Sequence, residues 1–318
     1  MITSRENALL AYRHKKPEWI PNKNTDYSIV RPAAFLDRYQ GTEVGLDGFG
    51  VEWTYEPDAK APMPTPGKIL FEEIEEWRDK VKIPDLNAID WEKQSKKDLA
   101  HVKPGNLISI LSLNGPFERM HACMSMPNAL CALIEDPEEC YEFAGAVADY
   151  KISYLPIIQK YYHADVFNLM DDYGSSDRMF MSPELWREIF KPHLKRIVEA
   201  THDYGMIYQH HSCGYIEPII DELVEIGVDA IDPLQVMNVN IREFKNKYND
   251  RLTFCGWFDN QGVFDRIGVT DEECYNETLN RVSALASDGN YIAYPITISE
   301  RYREPYTQAL ADFNKHYN

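Results

Sequence analysis

Positive charge is what this 318-residue sequence has least of: 33 Lys and Arg stand against 51 Asp and Glu, a formal net charge of −18. Nucleic-acid binders hold phosphates with Lys and Arg, and polybasic segments are what anionic membranes attract, so both classes are disfavoured. No stretch reaches the roughly 18 consecutive apolar residues that a membrane-spanning helix needs. The opening MITSRENALLAYRHKKPEWIP interrupts its short apolar run with charge, so no signal peptide is expected. The six cysteines (Cys123, Cys131, Cys140, Cys213, Cys255 and Cys274) contain no CxxC pair. They read as reduced thiols of a cytoplasmic protein rather than a disulfide framework. There is no GxGxxG after a strand and no GxxxxGK[ST], which weakens any nucleotide-binding reading. No linker, low-complexity tract or repeat divides the chain, so one domain over 1–318 is expected, with an N-terminal extension or excursion around 1–100.

What is present is a rhythm of short apolar runs followed by longer amphipathic ones. Leu107–Ser112, Asp165–Met170, Met206–His210, Asp229–Asp232, Leu252–Cys255 and Tyr291–Tyr294 read as strands. A long helix opens at Asp136-Pro137-Glu138-Glu139 and runs to about Tyr162, with acidic residues in its positive first turn. Another opens at Ser182-Pro183 and ends before Gly205. Further helices are expected over Tyr215–Ile226, near Val239–Tyr248, from the capping box Thr270–Glu273 to about Ala286, and over Glu304–His316. Glu43–Gly67, rich in Gly, Pro and aromatics, reads as an extended loop or hairpin excursion. Strand–helix alternation implies parallel strands with helical crossovers. Five strands after residue 160 and three before it give the expected fold: α/β, a (β/α)8 TIM barrel. A doubly wound open sheet is the alternative.

In such a barrel the active site forms at the carboxyl ends of the strands, and those ends are polar here. They deliver Asp171 and Asp172; His210, His211 and Cys213; Asp232 and then Gln235; Cys255 and, past Gly256-Trp257-Phe258, Asp259. In extended chain, residues i and i+2 share a face, so His211 and Cys213 point together while Ser212 and His210 point away. An imidazole nitrogen and a thiolate converging on one point make a zinc half-site; the bland alternative is a structural pair. Asp171-Asp172 is open to roles as substrate anchor, metal ligand or general base, or to a turn with an exposed carboxylate. Cys255 is a core thiol or a ligand. Arg119 and His121, after the Asn114-Gly115-Pro116-Phe117 turn, default to a solvated loop, and the other four cysteines show no role.

The stretches LMDDYGSSDRMFMSPELWREIFKPHLKRIVEATHDYG, HHSCGYIEPIIDELVEIGVDAIDPLQ and CGWFDNQ, with GLDGFGVEW and ALCALIEDPEECYEFAGAVADY upstream, resemble the uroporphyrinogen decarboxylase superfamily. The likeness is greatest to its corrinoid-dependent methyltransferases. The resemblance implies a (β/α)8 barrel in which His211 and Cys213 supply two zinc ligands. The third, a distal Cys in the zinc methyltransferases, falls at Thr297. The resemblance therefore leaves the third ligand to Cys255, Asp172 or a glutamate, in that order, or else the metal is lost. It implies transfer of a methyl group between a small methylated donor and a corrinoid carried by a partner protein docked over the barrel mouth. An aryl methyl ether is the first choice of donor, given 20 Tyr and 6 Trp. Asp172 would orient substrate or ligand, and Gln235 and Asp259 would hydrogen-bond behind the metal ligands. A homodimer is left open. A tetrapyrrole decarboxylase would need an N-terminal arginine signature, and DYSIVRPAAFLDRY holds just Arg31 and Arg38. A non-catalytic barrel that binds a small molecule or a corrinoid protein is the other alternative.

Overall fold

The computed structural model of the chain describes residues 2–233 and 240–317. Its strands in chain order are β1 (Tyr27–Val30), β2 (Gly45–Leu46), β3 (Glu52–Glu56), β4 (Ala61–Pro64), β5 (Leu107–Ser112), β6 (Val166–Met170), β7 (Ile207–His211), β8 (Ala230–Asp232), β9 (Thr253–Cys255) and β10 (Tyr291–Ile292). Seven of them form a curled parallel sheet in the order β1-β5-β6-β7-β8-β9-β10, with helices between successive strands. The strictly sequential order has no reversal, so the switch point of a doubly wound sheet is absent. The architecture is TIM-barrel-like.

The expected eighth strand is not part of this sheet among the described residues, and the reason lies in the first hundred residues. Their Gly- and Pro-rich excursion spends its strands on itself: β2, β3 and β4 form a separate antiparallel sheet, with Trp53 opposite both Gly45 and Pro64. The stretch after it, with Pro84 and many charges, breaks into short helical turns such as Leu86–Ala88 and the helix Trp91–Asp98. β1 therefore pairs directly with β5, Tyr27 opposite Leu107. No strand ladder joins β10 back to β1 among the described residues. The two edges meet at one parallel bridge, Asn22 with Ala293, made by the chain that leads into β1.

Two helices also differ from expectation. The Ser182–Gly205 helix is two, Pro183–Ile189 and Lys191–Asp203, separated at Phe190. Pro192, which lacks an N–H, sits in the first turn of the second, where that lack is harmless. The segment 215–226 begins as the 3-10 turn Glu217–Ile219, with Pro218 inside it, before the helix Ile220–Glu225.

Strand alternation sorts the core. Phe167 and Leu169 of β6 join the large outer cluster under the helices, with Trp186 and Tyr208. Val166 joins a small inner cluster with Ala8, Tyr12, Tyr27, Leu107 and Cys255. The helix Ser4–Tyr12 thus plugs the inside of the curled sheet, and the Tyr12 hydroxyl donates to Gln209 Oε1 at 2.7 Å.

Arg119 is a correction. It lies on the helix Pro116–Met124, fully buried, and pairs with Asp47 Oδ2 at 2.6 Å rather than facing solvent. Asp47 also accepts the N–H groups of Phe49 and Val51 and the Trp53 indole, which fixes the GLDGFGVEW turn. A second buried pair, Lys151 Nζ to Asp37 Oδ1 at 2.7 Å, ties the chain just ahead of the excursion to the long helix Pro137–Ile157. The excursion therefore stands beside the carboxyl ends of the strands as a fixed wall.

Candidate metal centre

β6 and β7 are neighbours in register, Met170 opposite His211, so the residues just past each strand end meet. Two glycines let their loops touch. A Cβ on Gly214, which has φ +79°, would lie 2.1 Å from the Gly174 carbonyl oxygen. Asp172 follows β6 and accepts the Cys213 N–H at Oδ1, 2.7 Å away. As the period of two requires, His211 and Cys213 point together, with Sγ 3.5 Å from Nε2. Ser212 points away and accepts the Tyr173 N–H. Asp172 Oδ1 lies 3.8 Å from the same Nε2. Among the described residues, one donor atom each of Asp172, His211 and Cys213 lies within 4.8 Å of the others.

Burial acts on Cys213 and His211. It pushes the Cys213 thiol up, and the adjacent His211 offsets only part of that. It would pull the His211 imidazole down, but the Asp232 carboxylate and Cys213 outweigh it and hold His211 well above its ordinary value. Asp232, fully buried at the end of β8, is held well below the usual carboxylate range because Lys23 and His211 outweigh its own burial. Glu118 is raised to about 8 by burial and by the nearby Asp172 charge, against the pull of Arg38.

The structure places the other expected residues elsewhere. Asp171 is fully buried and faces the opposite way, accepting the N–H groups of Phe117 and Glu118 and the Tyr173 hydroxyl. It thereby satisfies the N-terminus of the helix Pro116–Met124, whose N-cap Gly115 has no side chain to do so. Burial raises its carboxyl to about 7 despite those donors. Cys255 sits in the inner apolar cluster, outside the three-donor group. Asp259 caps the turn Asn260–Phe264, accepting from the Gly262 N–H at 2.7 Å. Gln235 lies outside the described residues. His210 is buried on the helix side, stacked on Tyr173. Thr297 lines the cleft above the donors, its hydroxyl donating to the Ser299 carbonyl.

Sequence reasoning passed over Glu118 and Lys23. Glu118 could have been found as the first-turn carboxylate of a helix opening at Gly115-Pro116 after a strand. For Lys23 no local signal exists.

Cys213, Leu113, Met170 and Pro233 line a cleft of about 670 Å³, together with Arg38 and Tyr39 from ahead of the excursion, Tyr55 from within it, and Asn260 and Thr297. A second hollow of about 450 Å³ lies at the other end of the strands, against Tyr12 and Asp165, remote from these donors. Three protein donors of N, O and S type, one of them lining the cleft, could hold a metal ion.

No curated protein matches the chain. Among solved structures, a methyltransferase from Methanosarcina mazei is similar over 100% of this chain and 99% of that one, at 14% identity and a TM-score of 0.72. At that identity the likeness is one of fold. The family model described as uroporphyrinogen decarboxylase (URO-D) matches residues 41–293, which include β6, β7 and the three donor residues. With that match spanning well over half its length, the chain belongs to the uroporphyrinogen decarboxylase family.

Proposed function

We propose that this protein is a methyltransferase that moves a methyl group between a small methylated donor, an aryl methyl ether first among them, and a corrinoid carried by a partner protein. The observation that carries the reading is the meeting of Asp172, His211 and Cys213, of which Cys213 lines a cleft. Family membership and the fold of the Methanosarcina mazei methyltransferase support it. His211, Cys213 and Asp172 would hold zinc, the last in place of the distal Cys. When bound, zinc supplies Lewis acidity to the ether oxygen as the methyl group leaves.

The chain's own residues do the rest. Tyr39, Tyr55, Leu113 and Met170 give an aromatic ring apolar surface to pack on and exclude water around the transferred carbon. The Cys213 N–H holds Asp172 in place. Burial and the nearby Asp172 charge favour the neutral form of Glu118. Met63 is exposed next to the cleft-lining Pro62, and Ile298 is exposed on the cleft itself; they offer apolar contact to a docked partner. One domain comprising residues 1–318 would carry the whole activity.

The test is methyl transfer from a panel of methoxyaromatics to a cobalt(I) corrinoid protein, followed by absorbance. We expect a methylcobalt spectrum with at least one donor, lost in His211→Ala and Cys213→Ser. No signal with any donor, together with carbon dioxide release from a tetrapyrrole carboxylate, would replace this reading with decarboxylation.

A further inference from the structure

Directly beneath His211 a carboxylate is held from several sides. Asp232 ends β8 opposite His211 of β7 and is fully buried. Its Oδ2 accepts three donors: Lys23 Nζ, Asn168 Nδ2 at 3.0 Å and Gln209 Nε2 at 2.7 Å. Its Oδ1 is buried with no hydrogen-bond partner and lies 3.7 Å from His211 Nδ1. Lys23 comes from the segment that bridges to β10, and its ammonium also lies 4.2 Å from the Tyr294 ring centroid.

Buried acceptors are rarely left unmet, and the facing group here is one imidazole nitrogen. A neutral imidazole donates from one nitrogen and offers a lone pair at the other. A carboxylate that accepts a hydrogen bond from Nδ1–H fixes the lone pair on Nε2, the atom facing Cys213 Sγ and Asp172 Oδ1. Three donors on Oδ2 leave the carboxylate no freedom to turn away. Charge explains the lysine. Asp172 and a Cys213 thiolate already balance a divalent ion, and a bare third anion below them would be buried without compensation. The Lys23–Asp232 pair adds orientation and no net charge.

We infer that Asp232, clamped by Lys23, Asn168 and Gln209, is a positioning residue that presents His211 Nε2 to the metal and sets the affinity of the centre from inside the sheet. This rests on the metal reading above. In Asp232→Asn the three donors claim the amide oxygen, so the amide NH2 faces Nδ1 and favours the wrong tautomer.

The experiment uses the full chain. Zinc affinity is measured by chelator competition in wild type, Asp232→Asn and Lys23→Gln, with thermal melts of each metal-free protein as the fold check. The cobalt(II)-loaded proteins are examined by paramagnetic proton NMR in H2O and D2O. Asp232→Asn is expected to bind zinc about ten- to a hundredfold more weakly. The hyperfine-shifted exchangeable N–H of the ligated histidine, present in wild type, is expected to disappear. Should Asp232→Asn fail to fold, Lys23→Gln decides, with an expected severalfold loss. A folded variant that matches wild type in affinity and keeps the N–H signal overturns the inference alone. Wild type that binds no zinc overturns the metal reading and this inference with it.

Discussion

Asp171 and Asp172 are adjacent in sequence and turn to different tasks. Asp171 accepts three hydrogen bonds in a fully buried position, and Asp172 stands half-buried beside His211. Asp171→Ala strands the N–H groups of Phe117 and Glu118, so we expect a loss of about 3 kcal/mol in urea unfolding. Asp172→Asn should change stability little and weaken metal binding, as read by chelator competition. Cys213→Ser should abolish stoichiometric metal, whereas Cys255→Ala should retain it, because that thiol is packed in the inner cluster. The His211 and Cys213 pair was legible because period-two alternation is local. Asp172 was legible as a strand-end carboxylate, but its partnership with Cys213 spans 41 residues and no spacing rule reports it. The Lys23–Asp232 contact spans 209 residues, beyond any pattern in one sequence.

At the scale of elements, the two loops that build the centre depend on glycine. Gly214→Ala places a methyl group against the Gly174 backbone at a positive φ, and the flexible end of a side chain is not there to yield. It should cost more than about 1 kcal/mol and release metal, as seen together in a thermal melt and a metal assay. Elsewhere, His202 in the last turn of the helix Lys191–Asp203 lies 2.7 Å from Asp229, which also receives the Tyr208 N–H. The Asp229 hydrogen bond raises the histidine above its ordinary value, against partial burial. A raised histidine stabilises the fold fully below its unfolded value near about 6.5, and the gain is lost as pH rises through the folded value. Denaturation of wild type and His202→Gln should therefore differ at pH about 5.5 and converge at pH about 8.5. The helices themselves were readable from caps such as Ser182 and Thr270. The break at Phe190 was not, because Pro192 suits a helix start and the surrounding apolar pattern continues across it.

For the whole molecule, sequential parallel order followed from strand–helix alternation, and the strand count did not. Glu43–Gly67 reads as an extended loop or hairpin excursion and forms the separate sheet β2-β3-β4, which leaves the first hundred residues one strand short of the expected count. Its attachment rests on buried ion pairs that join distant segments. Arg119→Met leaves Asp47 buried and unpaired, and should cost about 3–5 kcal/mol in urea unfolding. That loss would loosen the wall bearing Arg38, Tyr39 and Tyr55, so donor affinity should fall along with stability. The net charge of −18 acts at this scale as well: it fits a neutral methoxylated substrate better than a polyanionic tetrapyrrole.

The proposed function stands or falls on whether Asp172, His211 and Cys213 hold a metal ion. Elemental analysis of protein purified without chelators tests it most directly. One zinc per chain is expected in wild type and none in His211→Ala or Cys213→Ser. Folded wild-type protein without stoichiometric metal, even after incubation with zinc, would contradict it.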